Sequence, residues 1–485
     1  MGSLLCLAQL IFLCLLLFYS NFQATCSLSN SSNFPSSTNL CRHDQNLALL
    51  RFKKSFSIDS SASEDCQNPK TETWNEGTDC CSWDGVTCEM KTGHVIGLNL
   101  RCSMLHGVLH SNSTLFFLHH LQKLDLSDND FNSSHVSSQF GKLLYLTHLS
   151  LSYSNFAGQV PSEISHLSGL LSLDLSYNSK LTLEPRSFNK LAQNLTQLRD
   201  LDFSWVNMSL VIPSSVMNLS SSLSFLRLSY CGLKGNFPGS MFHRSNLQEI
   251  SLWANGNLTG SFSLFNGSSS LQKLVLSYTK ISIYLENEFS TNLKSLEFLS
   301  LCGCNIIRSN LALLGNLTQL TWLDLSGNHL SGQIPSSLAN LSQLKDLDLS
   351  HNNFTGQIPL SLAKLTELSS LDLSMNRLIG PIPSQFSTLS NLSSLVLYSN
   401  LLGGVIPSFL FALPFLDTLL LDDNLLSGHI RTFQYSSLSL INLSHNNLDG
   451  QIPSSIFEQE NLLVLRLASN NKLTGEISSS VCSIS

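Results

Sequence analysis

Apolar residues recur along this chain in one phrase, LxxLxLxxN, written most cleanly in LTWLDLSGNHLSGQIP from Leu320 to Pro335. The phrase returns about sixteen times at a spacing near 24 residues. Its first leucines stand at Leu121, Leu146, Leu170, Leu198, Leu223, Leu247, Leu271, Leu296, Leu320, Leu344, Leu368, Leu392, Leu416, Leu438 and Leu462, after a degenerate first copy at Val95. Most gaps are 24 or 25 residues, with 28 after Leu170 and 22 after Leu416. Each copy predicts a short parallel strand with its leucines turned into a core, where each contributes roughly 1.5–3 kcal/mol. The Asn that ends the phrase is expected to turn inward, so that its amide bonds backbone groups left unpaired by the turn. Gly in the following GxIP permits the bend, and Pro lies on the outer side, where no ladder donor is needed.

A unit of this kind cannot bury its apolar edge alone and is stable only between neighbours. The expected fold is therefore a curved, superhelical leucine-rich-repeat solenoid. Its parallel β-sheet lines the concave face, and short helical or 3-10 segments and turns form the convex one. Such a stack needs a cap over its first open face. The residues before Val95 supply candidates: Asp44-Gln45 to cap a helix whose apolar positions are Leu47, Leu49, Leu50, Phe52 and Phe56, then the Cys- and Trp-rich stretch Trp74 to Leu100. The division expected is residues 1–26 as a signal peptide, 27–94 as the cap, and 95–485 as about sixteen repeats with no C-terminal cap.

The signal peptide is expected from the apolar run Leu4 to Tyr19, broken only by Gln9, with cleavage between Ser20 and Cys26. The run has no Lys or Arg before it, and a membrane anchor is the alternative reading. No later segment is apolar for long enough to span a bilayer. Of the 13 cysteines, Cys6 and Cys14 leave with the signal and six fall between Cys41 and Cys102, where an oxidising compartment makes them staples. Thirteen N-x-S/T sequons point to the same compartment: Asn30, Asn112, Asn132, Asn194, Asn207, Asn218, Asn257, Asn266, Asn316, Asn340, Asn353, Asn391 and Asn442. A net charge of −7 without a basic block argues against nucleic acid as a partner.

The cap carries a further likeness. Cys41, Asp44-Gln45, Ala48-Leu-Leu-Arg-Phe-Lys53, Trp74-Asn75, Gly77-Thr-Asp-Cys-Cys-Ser-Trp-Asp-Gly-Val-Thr-Cys88 and Thr92-Gly-His-Val-Ile-Gly-Leu98 resemble the N-terminal domain of plant leucine-rich-repeat proteins. They are most similar to receptor-like proteins of the kind that detect fungal effectors in tomato and its relatives. The resemblance implies disulfides Cys41–Cys80 and Cys81–Cys88, with Cys66–Cys102 a guess for the remaining two. It also implies a longer protein, with a C-terminal cap, one membrane span and a short tail. An open apolar end is unfavourable for a solenoid, so the chain is expected to be a fragment or an early-terminated copy.

The copies are not equally regular. Asn328, Asn352, Asn376, Asn400, Asn424, Asn446 and Asn470 fill the inward slot without a gap, whereas Leu146 to Ile306 places Ser154, Asn178, Val206, Cys231, Asn255, Thr279 and Cys304 there. In the same stretch the residue just before that slot is Tyr153, Tyr177, Trp205, Tyr230 and Tyr278, with Trp253 one place earlier in its repeat. Strands lie about 4.7–4.9 Å apart, so these rings are expected to align over roughly 25–30 Å of the concave surface. Aromatic side chains there are the type that anchors protein interfaces; the alternative is that they merely stack on one another.

Other groups are weaker candidates. Asp422-Asp423 reads as a solvated face, Cys302 and Cys304 flank Gly303 as a redox candidate set against Cys304's place in the inward slot, and Gly256 to Gly260 belongs to the repeat. No catalytic grouping, metal site or cofactor is expected. The function implied is an extracellular ligand-recognition ectodomain of a plant cell-surface receptor-like protein, in defence. It would bind a peptide or protein and signal through an adaptor or co-receptor kinase. The alternatives are a soluble apoplastic inhibitor of a microbial wall-degrading enzyme and a developmental peptide co-receptor. The compartment expected is the secretory path: the plasma-membrane surface for a full-length form, the apoplast for the chain as it stands.

Overall fold

The computed structural model of the protein describes residues 40–475, apart from 64–65, 67, 263–268 and 434–436. The expected signal peptide, Asn30, Asn266 and Cys482 lie outside the described residues. Sixteen short parallel strands, one per copy of the phrase, pair in chain order from Val95–Asn99 to Val464–Arg466. The register is one repeat per step, so the central leucines Leu299, Leu323, Leu347 and Leu371 sit opposite one another. All four are buried, as are the first leucines of every copy. The core is continuous from the cap to Leu462. The convex side is built of one-turn 3-10 helices such as Ser336–Asn340 and Leu360–Lys364. The 28-residue repeat after Leu170 accommodates a full α-helix, Pro185–Asn194, started by its proline.

The inward asparagines behave as their amide chemistry requires. Asn352 Nδ2 donates to the carbonyls of Leu325, Leu349 and Ser350 at 2.9–3.1 Å, while its Oδ1 accepts from the N–H groups of Asn328 and Leu330. Where the slot is Ser154, Cys231 or Cys304, the hydroxyl or thiol still donates to a carbonyl of the preceding repeat. Val206 donates nothing from its side chain; there the backbone closes a local turn, Val206 N–H to Phe203 C=O at 2.9 Å.

One element was absent from the sequence expectation. After the ladder residue, the chain forms a second set of parallel strands, four from Lys234–Phe237 to Asn305–Ser309 and seven from Ser331–Gln333 to Lys472–Thr474. The reason is backbone accounting. The extended residues between the ladder and the glycine bend would otherwise leave N–H and C=O groups unpaired, and the next repeat offers identical ones one step away.

The cap differs from expectation in detail. Its helix is His43–Lys53, preceded by Arg42 without a side-chain cap, and Leu47 is exposed while Ala48 is buried. Asp44 lies in the first turn, and buried Gln45 instead accepts from Val95 N–H at 2.7 Å, tying helix to first repeat. Phe56 lies beyond the helix and packs edge-on to Phe131. Strand Val86–Cys88 runs antiparallel to Val95–Asn99 and closes the edge of the main sheet. Cys41–Cys80, Cys81–Cys88 and Cys66–Cys102 are all disulfides.

Candidate ligand-binding surface

Each strand hands over to its ladder residue through one amino acid in the left-handed backbone region. Tyr153, Tyr177, Trp205, Tyr230 and Tyr278 occupy that position with φ between 49° and 67°, and Gly303, Gly327, His351, Met375, Ser399, Asp423, His445 and Ser469 continue the column. The conformation is imposed by pairing between repeats: the N–H groups of Tyr153, Tyr177 and Trp205 donate to Ser176, Ser204 and Ser229 carbonyls at 2.8–3.0 Å. An L-residue there costs roughly 1–2 kcal/mol, which a glycine would avoid. Aromatic rings are thus held on strained backbone, at the rim where the concave strands end rather than on the sheet floor.

The rings come together. Tyr153 stacks on Tyr177 at 4.0 Å, Tyr177 on Trp205 at 6.1 Å, Trp205 on Tyr230 at 3.9 Å, and Tyr230 meets Trp253 at 6.1 Å. Tyr153 and Tyr230 are 37% and 47% exposed, while Tyr177 and Trp205 are half-buried. Trp253 is the exception: Ala254 takes the left-handed position of its repeat, and the indole is buried beneath the column. Tyr278 closes the far end of the column by lying over Gly303. A Cβ there would come within 2.9 Å of its ring, so the glycine is required.

Beside the rings, the strands themselves carry a charged network that the repeat phrase conceals, because it occupies the x positions of LxLx. Arg227 clasps Glu249 with two bonds of 2.7–3.0 Å and reaches Asp200 at 2.9 Å; Lys273 also meets Glu249 at 3.1 Å. Burial pushes Glu249 up, but Arg227 and Lys273 outweigh it and hold the carboxyl below its usual range. Asp202 has no such clasp; burial, then the neighbouring Asp174, pushes it up to about 7. Further along, Phe298 stacks on Trp322 at 5.4 Å, and Asp324, Asp348 and Asp372 stand opposite one another on successive strands. Reading the residue on either side of the central leucine down the repeats is the sequence signal that would have found these groups.

Asp422 and Asp423 are consecutive residues at the end of one strand, with Asp423 in the left-handed position; burial raises Asp422. Cys302 and Cys304 do not form a pair: Cys302 Sγ donates to Tyr278 Oη at 3.2 Å, whereas Cys304 Sγ turns into the ladder, where burial pushes it up to about 12. The two places among the described residues where ligand-type atoms crowd together are built from cysteines already in disulfides. The described sequons divide by face. Asn194, Asn218, Asn316 and Asn340 are the last residues of convex helical turns, and Asn112, Asn132, Asn207, Asn257 and Asn391 are also exposed. Asn353 is half-buried. Asn442 alone of these sits within a concave strand, buried, with its Oδ1 accepting from Ser444 N–H.

Comparison with known proteins places this geometry. Residues 42–89 match the leucine rich repeat N-terminal domain, and residues 318–378, 120–143, 145–167 and 437–458 match leucine rich repeats. Receptor-like protein Cf-9 of Solanum pimpinellifolium is 44% identical over 287 residues, covering 57% of this chain and 33% of that protein. Receptor-like protein 6 of Arabidopsis thaliana is 41% identical over 276 residues, 54% of this chain and 28% of that protein. The chain is similar to plant leucine-rich-repeat receptor-like proteins through its cap and its repeats. It spans about a third of the length of the curated relatives it matches. Among solved structures, a TDR receptor is 28% identical with a TM-score of 0.58 over 75% of this chain and 62% of that one. The ectodomain of the Arabidopsis thaliana receptor kinase GASSHO1/SCHENGEN3, solved with CASPARIAN STRIP INTEGRITY FACTOR 2, shares the fold at 24% identity and a TM-score of 0.56, over 90% of this chain and 63% of that one. No described helix is long and apolar enough to cross a membrane.

Proposed function

We propose that the chain is the extracellular ligand-recognition part of a plant cell-surface receptor-like protein acting in defence, with a partner kinase supplying the signal. The ligand is a peptide or protein lying along the ring column from Tyr153 to Tyr278. The observation that carries this reading is the stack itself. Rings from Tyr153 to Tyr230 stand 3.9–6.1 Å apart on neighbouring repeats and keep exposed edges along one rim. Rigid, partly exposed aromatics contribute contact area at small entropic cost. Stacking alone would account for rings in contact, but not for aromatic residues in five of these left-handed positions where later repeats carry glycine, serine, aspartate, histidine or methionine.

The test is a double alanine variant at Trp205 and Tyr230, compared with the unaltered chain for capture of ligand from a pathogen-infected apoplastic fluid and for secreted yield. Trp253 is left intact because its burial makes it a folding residue. Loss of capture with unchanged secretion is expected. Unchanged capture would remove the column from the binding surface, and inhibition of a pectin hydrolase by the chain would favour the inhibitor reading instead.

A further inference from the structure

The ring column ends, on the side of the cap, in a cavity of about 300 Å³. One wall is the cap loop at Ser61 to Ser63; the others are Tyr153, Tyr177, Asn155 and Lys180. The loop is held at several points. Strand Ser57–Ile58 pairs antiparallel with Leu105–His106, Asp59 N–H donates to Met104 C=O at 2.9 Å, Ser63 Oγ donates to Asp128 C=O at 2.6 Å, and the Cys66–Cys102 disulfide closes behind it. The opposite wall is equally fixed: Lys180 Nζ donates to Asn155 Oδ1 at 3.1 Å, Asn155 Nδ2 donates to Asp130 Oδ1 at 2.7 Å, and His106 Nδ1 lies 3.1 Å from Asp130 Oδ2. The volume is at the low end for a ligand site, suited to a short piece of a molecule rather than a folded partner.

The lining decides the chemistry. Tyr153 uses one face on Tyr177 and, 37% exposed, offers the remainder of its ring to the cavity. An aromatic face of this kind takes an apolar surface of similar size. Around it stand groups that donate and groups that accept: an ammonium, an amide, serine hydroxyls and carboxylates. An anion would face Asp128 and Asp130. A cation would compete with the Lys180 ammonium that already lines the cavity, and Asp130 is already bonded to Asn155, Asn132 N–H and His106. What remains is a neutral ligand with one apolar face and a rim of hydroxyls able both to give and to accept hydrogen bonds. We infer that this cavity binds a neutral glycosyl unit, with the C–H face of a pyranose ring on Tyr153 and its hydroxyls on Asn155 and Lys180. This does not rest on the peptide reading of the column.

The unit can arrive on a free oligosaccharide or on the chain's own N-glycan at Asn132, two residues beyond Asp130. Isothermal titration of the secreted chain with cellotetraose and chitotetraose, alongside tetragalacturonate and trilysine, tests the inference. Saturable binding of a neutral oligosaccharide is expected, weakened about tenfold or more by Tyr153→Asn, which keeps the left-handed backbone and removes the ring. Lys180→Ala should weaken it too. Tighter binding by Asn132→Gln would assign the native cavity to the chain's own glycan, which is the same chemistry. The inference is overturned if neither neutral probe binds, if a charged probe binds in preference, or if Tyr153→Asn and Lys180→Ala both bind as the parent does.

Discussion

Replacing Asp372 by Asn isolates the energetics of the acidic row on the concave strands. Asp324, Asp348 and Asp372 face one another on adjacent strands, and all three are buried or nearly so. Burial pushes Asp372 up to about 6, and burial followed by its neighbours Asp372 and Asp324 pushes Asp348 well above the usual carboxylate range. The groups near the row are Asp346, itself raised to about 6 by burial, Lys345, Asp422 and Tyr398. A carboxyl whose folded value exceeds its unfolded value holds more protons when native. Its contribution is therefore greatest at low pH and is lost as pH rises from about 4 through 6. A rise of about two units corresponds to at most about 3 kcal/mol, so the variant should be more stable by about 1–3 kcal/mol at pH 7.5. The amide keeps an Oδ1 to accept from Ser374 N–H and Oγ, at 2.8 and 2.6 Å in the parent. Solenoids unfold piecewise, so the assay is hydrogen exchange of peptides covering residues 346–374, parent against variant at one pH at a time. About 10–100-fold slower exchange is expected for the variant at pH 7.5 and no difference at pH 4.5. Faster exchange at both pH values, or equal exchange at 7.5, would refute the reasoning.

Asn352→Ala strands the N–H groups of Asn328 and Leu330 and takes one of two donors from the carbonyls of Leu325, Leu349 and Ser350; at about 1–3 kcal/mol per orphaned N–H, softened by local rearrangement of the kind seen at Val206, a loss of about 2–4 kcal/mol is expected. Hydrogen exchange across residues 325–352 measures it, and a change below about 0.5 kcal/mol would contradict the ladder's role. Mass spectrometry of peptides from the secreted chain should find glycan on exposed Asn194, Asn218 and Asn340 and none on Asn442, whose amide is buried in the concave sheet; an occupied Asn442 would mean that this strand is not formed when glycosylation occurs.

The sequence by itself determined the solenoid, its strand register and the inward asparagines. These follow from interactions repeated at one spacing, and each repeat needs only its neighbour to satisfy them. It also determined that rings from Tyr153 to Tyr230 would align, since they share a position in the phrase. It could not determine that Trp253, one place out of step, falls beneath the column rather than in it, because the outcome depends on which residue takes the left-handed turn. The second layer of strands was likewise decided in three dimensions: apart from Lys280–Leu285, where Ile281, Ile283 and Leu285 alternate inward, its strands pair because the bend sets identical backbone groups side by side. The Arg227–Glu249–Lys273 network, the acidic row and the Tyr153 cavity arise between repeats or between cap and repeat. Partners 22 to 65 residues apart in the chain meet there, and no spacing within a single repeat marks them.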